Sequence, residues 1–127
     1  MIDAIRLAQK KHREMIESLY EGMATVTEHR KVTDPETKLT SYREVVVLKD
    51  QPCRLSFEKI EAAEQDDPAV GTGQTIKLFV SPNIVIRPGS KITVAQHGVT
   101  ENYTYSGKPA VHATHQEITL RLFERWA

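Results

Sequence analysis

His112 and His115, followed by Glu117, are the side chains in this sequence best suited to hold a metal ion. Two imidazoles and a carboxylate bind zinc when their donor atoms converge on one point. On a helix positions 112 and 115 could converge, but Pro109 and the β-branched residues nearby disfavour a helix. On a strand the two positions point to opposite faces, so no metal site is expected. Nucleophilic chemistry has equally little to work with. Cys53, the single cysteine, shares an apolar parity with Leu55 and Phe57, which marks it as a buried small hydrophobe with a raised pKa. The chain contains no Gly-x-Ser-x-Gly elbow. Gly71-Thr72-Gly73 lacks the Gly-Lys-Ser/Thr ending of a phosphate cradle. The acidic residues around Asp66 and Asp67 lack the spaced register and terminal glutamate of an EF-hand. Asn102-Tyr103-Thr104 has the form of a glycosylation sequon, a coincidence if the chain is not secreted. No catalytic residue, cofactor or metal is therefore expected, and the chain does not read as an enzyme.

Tyr103 and Tyr105, with Phe79 and Tyr42, raise the alternative of an aromatic platform on a small nucleic-acid-binding β-barrel of the oligonucleotide-binding type. Such platforms combine stacking rings with a basic groove. Here Glu101, Asn102 and Thr104 flank the tyrosines, and 17 Lys+Arg balance 17 Asp+Glu to a net charge of zero. The local basic run Lys10-Lys11-His12-Arg13 is followed by Glu14, Glu17 and Glu21, which reads as a solvated helical face with i,i+4 pairing. Core or interface roles suit the aromatic residues better.

The elements that must position these side chains follow from hydrophobic periodicity. Ile2, Ile5, Ala8, His12, Met15, Ile16 and Leu19 recur at three-to-four spacing, which predicts a helix over residues 2–21 with one apolar stripe. Gly22 is its expected left-handed stop. The stripe must be buried on this domain or on a neighbouring chain, and Ile5, His12 and Ile16 are candidate subunit-interface residues. Beyond Gly22 the β-branched residues dominate, and residues 24–126 read as β. Strands are expected over 24–33, with Ala24, Val26 and Val32 on one parity, and over 39–48, joined by an Asp34-Pro35-Glu36-Thr37 turn. Val45-Val46-Val47-Leu48 is apolar on both parities, so both its faces are expected to be covered, with Val46 and Leu48 as further interface candidates.

Gln51-Pro52 is read as a break before a strand carrying Cys53, Leu55 and Phe57 inward. Ile76, Leu78 and Val80 repeat that pattern, followed by Ile84-Val85-Ile86 after Ser81-Pro82-Asn83. Pro88-Gly89-Ser90 and His97-Gly98 are turns that bracket a strand with Ile92 and Val94 inward. Strands over 99–105 and 116–123 complete the set, the last with Ile118, Leu120 and Leu122 on one face. The expected fold is a single mainly β domain: a small antiparallel β-barrel or sandwich of six to eight short strands with an N-terminal α-helix.

The segment over residues 61–74 is long, polar and without periodicity, and a connection of that length is usually functional or disordered. At 127 residues the chain is long enough for one core without disulfides. Its longest apolar run is Val45 to Leu48, far short of the ~20 residues a membrane-spanning helix requires. Residues Asp3 and Arg6 leave no apolar leader, and one cysteine fits a reducing compartment, so a cytosolic origin is expected.

Several stretches carry a family resemblance. Ile86-Arg87-Pro88-Gly89-Ser90-Lys91-Ile92-Thr93-Val94, Tyr105-Ser106-Gly107-Lys108-Pro109, Thr114-His115-Gln116-Glu117-Ile118-Thr119-Leu120 and Glu124-Arg125 resemble the small head-to-tail connector, or head-closure, proteins of Gram-positive siphophages and defective prophages. Lys31-Val32-Thr33 through Tyr42 and Cys53-Arg54-Leu55-Ser56-Phe57 extend the likeness toward the N-terminus. The resemblance implies a ring of copies beneath a portal and its adaptor protein, sealing the channel after DNA packaging and docking a tail-completion protein below. It implies assembly in the host bacterial cytoplasm and residence in the particle neck, with packaged DNA nearby but not read by sequence, and no membrane. In such proteins a long loop projects toward the channel. Residues 61–74 are the candidate, with Glu61, Glu64, Asp66, Asp67, Val70, Gly71 and Gly73 as its channel-facing residues. The N-terminal helix departs from the shortest members of that family.

Overall fold

The structure is a computed structural model that describes residues 2–59 and 74–127. Among these residues one helix, α1 (Ile2–Ser18), precedes seven strands: β1 (Gly22–Thr33), β2 (Thr40–Lys59), β3 (Gln74–Val80), β4 (Lys91–Gln96), β5 (Val99–Thr104), β6 (Ala110–Val111) and β7 (Gln116–Leu122). All pairings are antiparallel, in the order β3-β2-β1-β4-β5-β7-β6, and β3 also pairs with β7. Six strands therefore form a closed ring, and the short β6 pairs with β7 on the edge opposite β3. The expected mainly β fold with an N-terminal helix is what the chain adopts.

Closure gives the alternating residues a common interior. Ala24 and Val26, Cys53 and Leu55, Leu78 and Val80, Ile92 and Val94, Tyr103, and Ile118 and Leu120 form one buried cluster with Ile86 and Tyr105. Every ring strand except β5, which contributes Tyr103 alone, supplies residues two apart, because only every second side chain faces inward. The link over residues 81–90 contains no strand, contrary to the extended reading of Ile84 to Ile86. Side chains hold it instead. The buried Gln116 amide donates to Ser81 O at 2.7 Å and to Ile84 O at 2.8 Å, and the Tyr105 hydroxyl donates to Ile86 O. Ile86 is thereby buried while Val85 stays outside.

The two hairpin turns follow their sequences. Asp34 Oδ1 accepts from the amides of Glu36 at 2.8 Å and Thr37 at 3.4 Å, and Lys38 takes a left-handed φ of 59°. His97 and Gly98, at φ 52° and 78°, make the two-residue link between Gln96 and Val99.

Four expectations need correction. Pro52 does not end a strand; β2 runs unbroken through it for 20 residues. Proline is tolerated there because β2 gains its β3 partner only from Cys53 onward, leaving one edge of Pro52 free. Gly22 is not a left-handed helix stop but the first residue of β1, and its φ is not positive. A Cβ at Gly22 would lie 2.9 Å from Gln96 Oε1, 3.0 Å from Cys53 O and 3.2 Å from Cys53 Sγ, so glycine is needed for space. Phe57 and Leu122 share the inward parity yet are 50% and 56% exposed, because each lies where its strand runs past the covering neighbours. Finally, Val45 to Leu48 is not covered on both faces: Val46 is 56% exposed.

Candidate functional site

Two surfaces stand out because apolar residues remain exposed on them. The first is α1. Among the described residues it makes no extensive contact with any strand, and Ile5, Leu7, Met15 and Leu19 are all more than half exposed. Of the candidate interface residues, Ile5 and His12 are exposed and Ile16 is half-buried. The helix is anchored only near its end. There Tyr20 lies close to Glu17, Cys53 and Arg54, and burial, then the Glu17 charge, raise its pKa. One connection farther on, Glu21 is hydrogen-bonded to the His97 ring, which holds its carboxyl below the usual range.

The second surface is the outer part of the β1–β2 hairpin. β1 pairs with β4 only as far as Thr27, and β2 pairs with β3 only from Cys53, so residues 28–33 and 40–45 form a two-stranded arm outside the ring, with Val46 at its base opposite Thr27. Tyr42 and Val46 are exposed on it, whereas Leu48, nearer the ring, packs partly against the core. Leu39, at the tip, is 71% exposed.

Trp126 secures the base of this arm. Its ring stacks on His29 at 4.8 Å and meets Phe123 edge-on at 4.9 Å, and His29 contacts Tyr42 at 5.1 Å. Trp126 Nε1 and Lys91 Nζ both donate to Glu44 Oε1 at 2.9 Å. The Lys91 hydrogen bond, then that of Trp126, hold the Glu44 carboxyl below the usual carboxylate range. Lys91 also sits 5.4 Å from the Phe123 ring centre and 5.6 Å from that of Trp126. Sequence reasoning missed this cluster. The only tryptophan in the sequence, at position 126, was the available signal.

The remaining candidates sort as follows. Cys53 is fully buried, and burial pushes its thiol up to about 12, as its apolar parity implied. Tyr103 and Tyr105 are core residues, 4% and 2% exposed, so neither ring is available for base stacking. The channel-loop candidates Glu61, Glu64, Asp66, Asp67, Val70, Gly71 and Gly73 lie outside the described residues.

The histidines differ from expectation. His112 to His115 are not on a strand but form the tight turn between β6 and β7, closed by His112 N donating to His115 O at 2.8 Å. The opposite-face argument therefore does not apply, and the donor atoms of His112, His115 and Glu117 all lie within 4.8 Å of one another.

No helix among the described residues is long and apolar enough to cross a membrane. No protein-family model matches the chain, and no curated protein matches it. Among solved structures the chain is similar to the phage-like element PBSX protein xkdH from Bacillus subtilis, with 14% identity over 79% of this chain and 91% of that one, and a TM-score of 0.47.

Proposed function

We propose that this chain is a structural head-to-tail connector of the head-closure type, from a tailed phage or a defective prophage. Copies would form a ring below the portal and its adaptor, retain packaged DNA and dock the tail-completion protein. The chain would contribute shape and contact surface rather than catalysis, first in the host cytoplasm and then in the particle neck.

One observation carries the reading: an amphipathic helix and an apolar hairpin arm both stand away from a ring of strands that is complete without them. A ring subunit needs two different patches, because head-to-tail contacts bury unlike surfaces of neighbouring copies. The residue resemblance at 86–94, 105–109, 114–120 and 124–125 supplies the biological setting. The nucleic-acid alternative loses its main support, since Tyr103 and Tyr105 are enclosed.

Deleting the gene and imaging the induced lysate tests the proposal. The expected result is heads without tails, many of them emptied of DNA. Normal yields of tailed, filled particles would refute it.

A further inference from the structure

The β6–β7 turn brings together three side chains of metal-ligating type. On β7 the inward positions are Gln116, Ile118 and Leu120, so Glu117 points outward together with His115, two residues before it. The turn then returns the chain so that the His112 ring stacks on that of His115, with centroids 4.7 Å apart and planes 25° apart. We propose that His112, His115 and Glu117 form a site for a divalent transition ion of the zinc class. This site is independent of any role in a phage neck.

The geometry of His115 supports the site most directly. Its Nε2 lies 3.2 Å from Glu117 Oε1, and its Nδ1 lies 3.2 Å from Thr114 Oγ1. Two ligands each about 2 Å from one ion in tetrahedral array are themselves about 3.3 Å apart, so this pair already has the spacing of two zinc ligands. At that distance Nε2 and the carboxylate oxygen share either a proton or a cation. In the tautomer whose Nδ1–H faces the Thr114 hydroxyl, Nε2 is the ligand atom, the arrangement in which an outer partner fixes the tautomer of a metal-binding imidazole. Phe79 packs against the His115 ring at 5.8 Å and limits its rotation. The exposed His112 then needs only side-chain rotation out of the stack to supply the third ligand, leaving a fourth position to water. Imidazole nitrogen selects zinc, copper or nickel over calcium and magnesium, which prefer oxygen donors.

Calorimetric titration of the tag-free protein with zinc chloride, in a non-coordinating buffer, tests the proposal. One ion per chain is expected, with a dissociation constant on the order of micromolar. His112→Ala and His115→Ala should each weaken binding at least tenfold, Glu117→Gln should weaken it while preserving the turn, and His97→Gln should change nothing. Wild-type binding no tighter than that of the doubly substituted His112→Ala/His115→Ala chain would overturn the site, as would an equal loss in His97→Gln. Cobalt substitution of the wild-type chain gives a readout that needs no variant. Intense visible bands that zinc abolishes support the site, and the pale spectrum of hydrated cobalt contradicts it.

Discussion

Trp126 donates its indole N–H to Glu44 at 2.9 Å, fastening the chain's last residues to the hairpin arm. Lys91 on β4 meets the same oxygen, so one carboxylate joins the arm, the ring and the C-terminal segment. This junction ties the arm that carries Tyr42 to the ring.

Removing that junction should loosen the arm more than the core. Trp126→Ala loses the aromatic contacts to His29 and Phe123 and the hydrogen bond to Glu44. Amide hydrogen exchange should accelerate over residues 28–33 and 40–45 while Leu78 and Val80 keep their protection. Uniform acceleration throughout the chain would contradict a local role.

The same junction should respond to acid with a defined sign. The folded Glu44 pKa lies below its ordinary value of 4.5. Its contribution is therefore complete above that value and is lost as pH falls through the lower folded pKa. Because Trp126 is the only tryptophan, its emission should shift on acidification with a midpoint below 4.5, and Glu44→Gln should abolish the step. A midpoint above 4.5 would mean that Lys91 does not pair with this carboxylate in solution.

Gly22 and Gln96 predict a packing penalty. β1 begins opposite Cys53, so Leu55 on β2 has no backbone partner on that side. The side-chain amide of Gln96 takes that place: Leu55 N donates to its Oε1 at 2.8 Å, and its Nε2 donates to Leu55 O at 3.2 Å. Gly22→Ala would press on Gln96 Oε1 and on the carbonyl of Cys53, costing about 1 to 3 kcal/mol. Chemical denaturation measures this, and an unchanged midpoint would refute the steric account.

How far these features can be read from sequence depends on what each residue's role rests on. Period-two alternation revealed the inward pairs from Ala24 to Leu120, because burial on one face of a strand acts directly on residue type. The His97-Gly98 link was equally legible, since few residue pairs tolerate two left-handed positions. Gly22 was misread because a glycine required for space looks like one required for conformation. Pro52 and the histidine turn were misread because they depend on where a neighbouring strand begins and where a short strand ends. Phe57 and Leu122 obey the right parity but extend beyond their cover, which periodicity cannot register.

The end of β7 gives a sharp contrast between parity and cover. Leu120 is 6% exposed and Leu122 is 56% exposed. Leu120→Asp places an unpaired charge in the core and should unfold the domain. Leu122→Asp should change stability by about 1 kcal/mol or less, as expected of an exposed site. Circular dichroism separates the two, and equal effects would place Leu122 in the core after all.

The assembly surfaces should be separable from the fold. Ile5→Glu and Val46→Glu each alter an exposed residue, so each should cost about 1 kcal/mol or less. Each should nonetheless reduce the yield of tailed particles in a complementation assay. Full complementation by both variants would show that neither surface is used.

Mass spectrometry of density-purified particles from an induced host tests the role in assembly most directly. A connector must be retained in intact particles, at a small copy number fixed relative to the capsid protein. Finding the chain abundant in the lysate but absent from purified tailed particles would contradict the account.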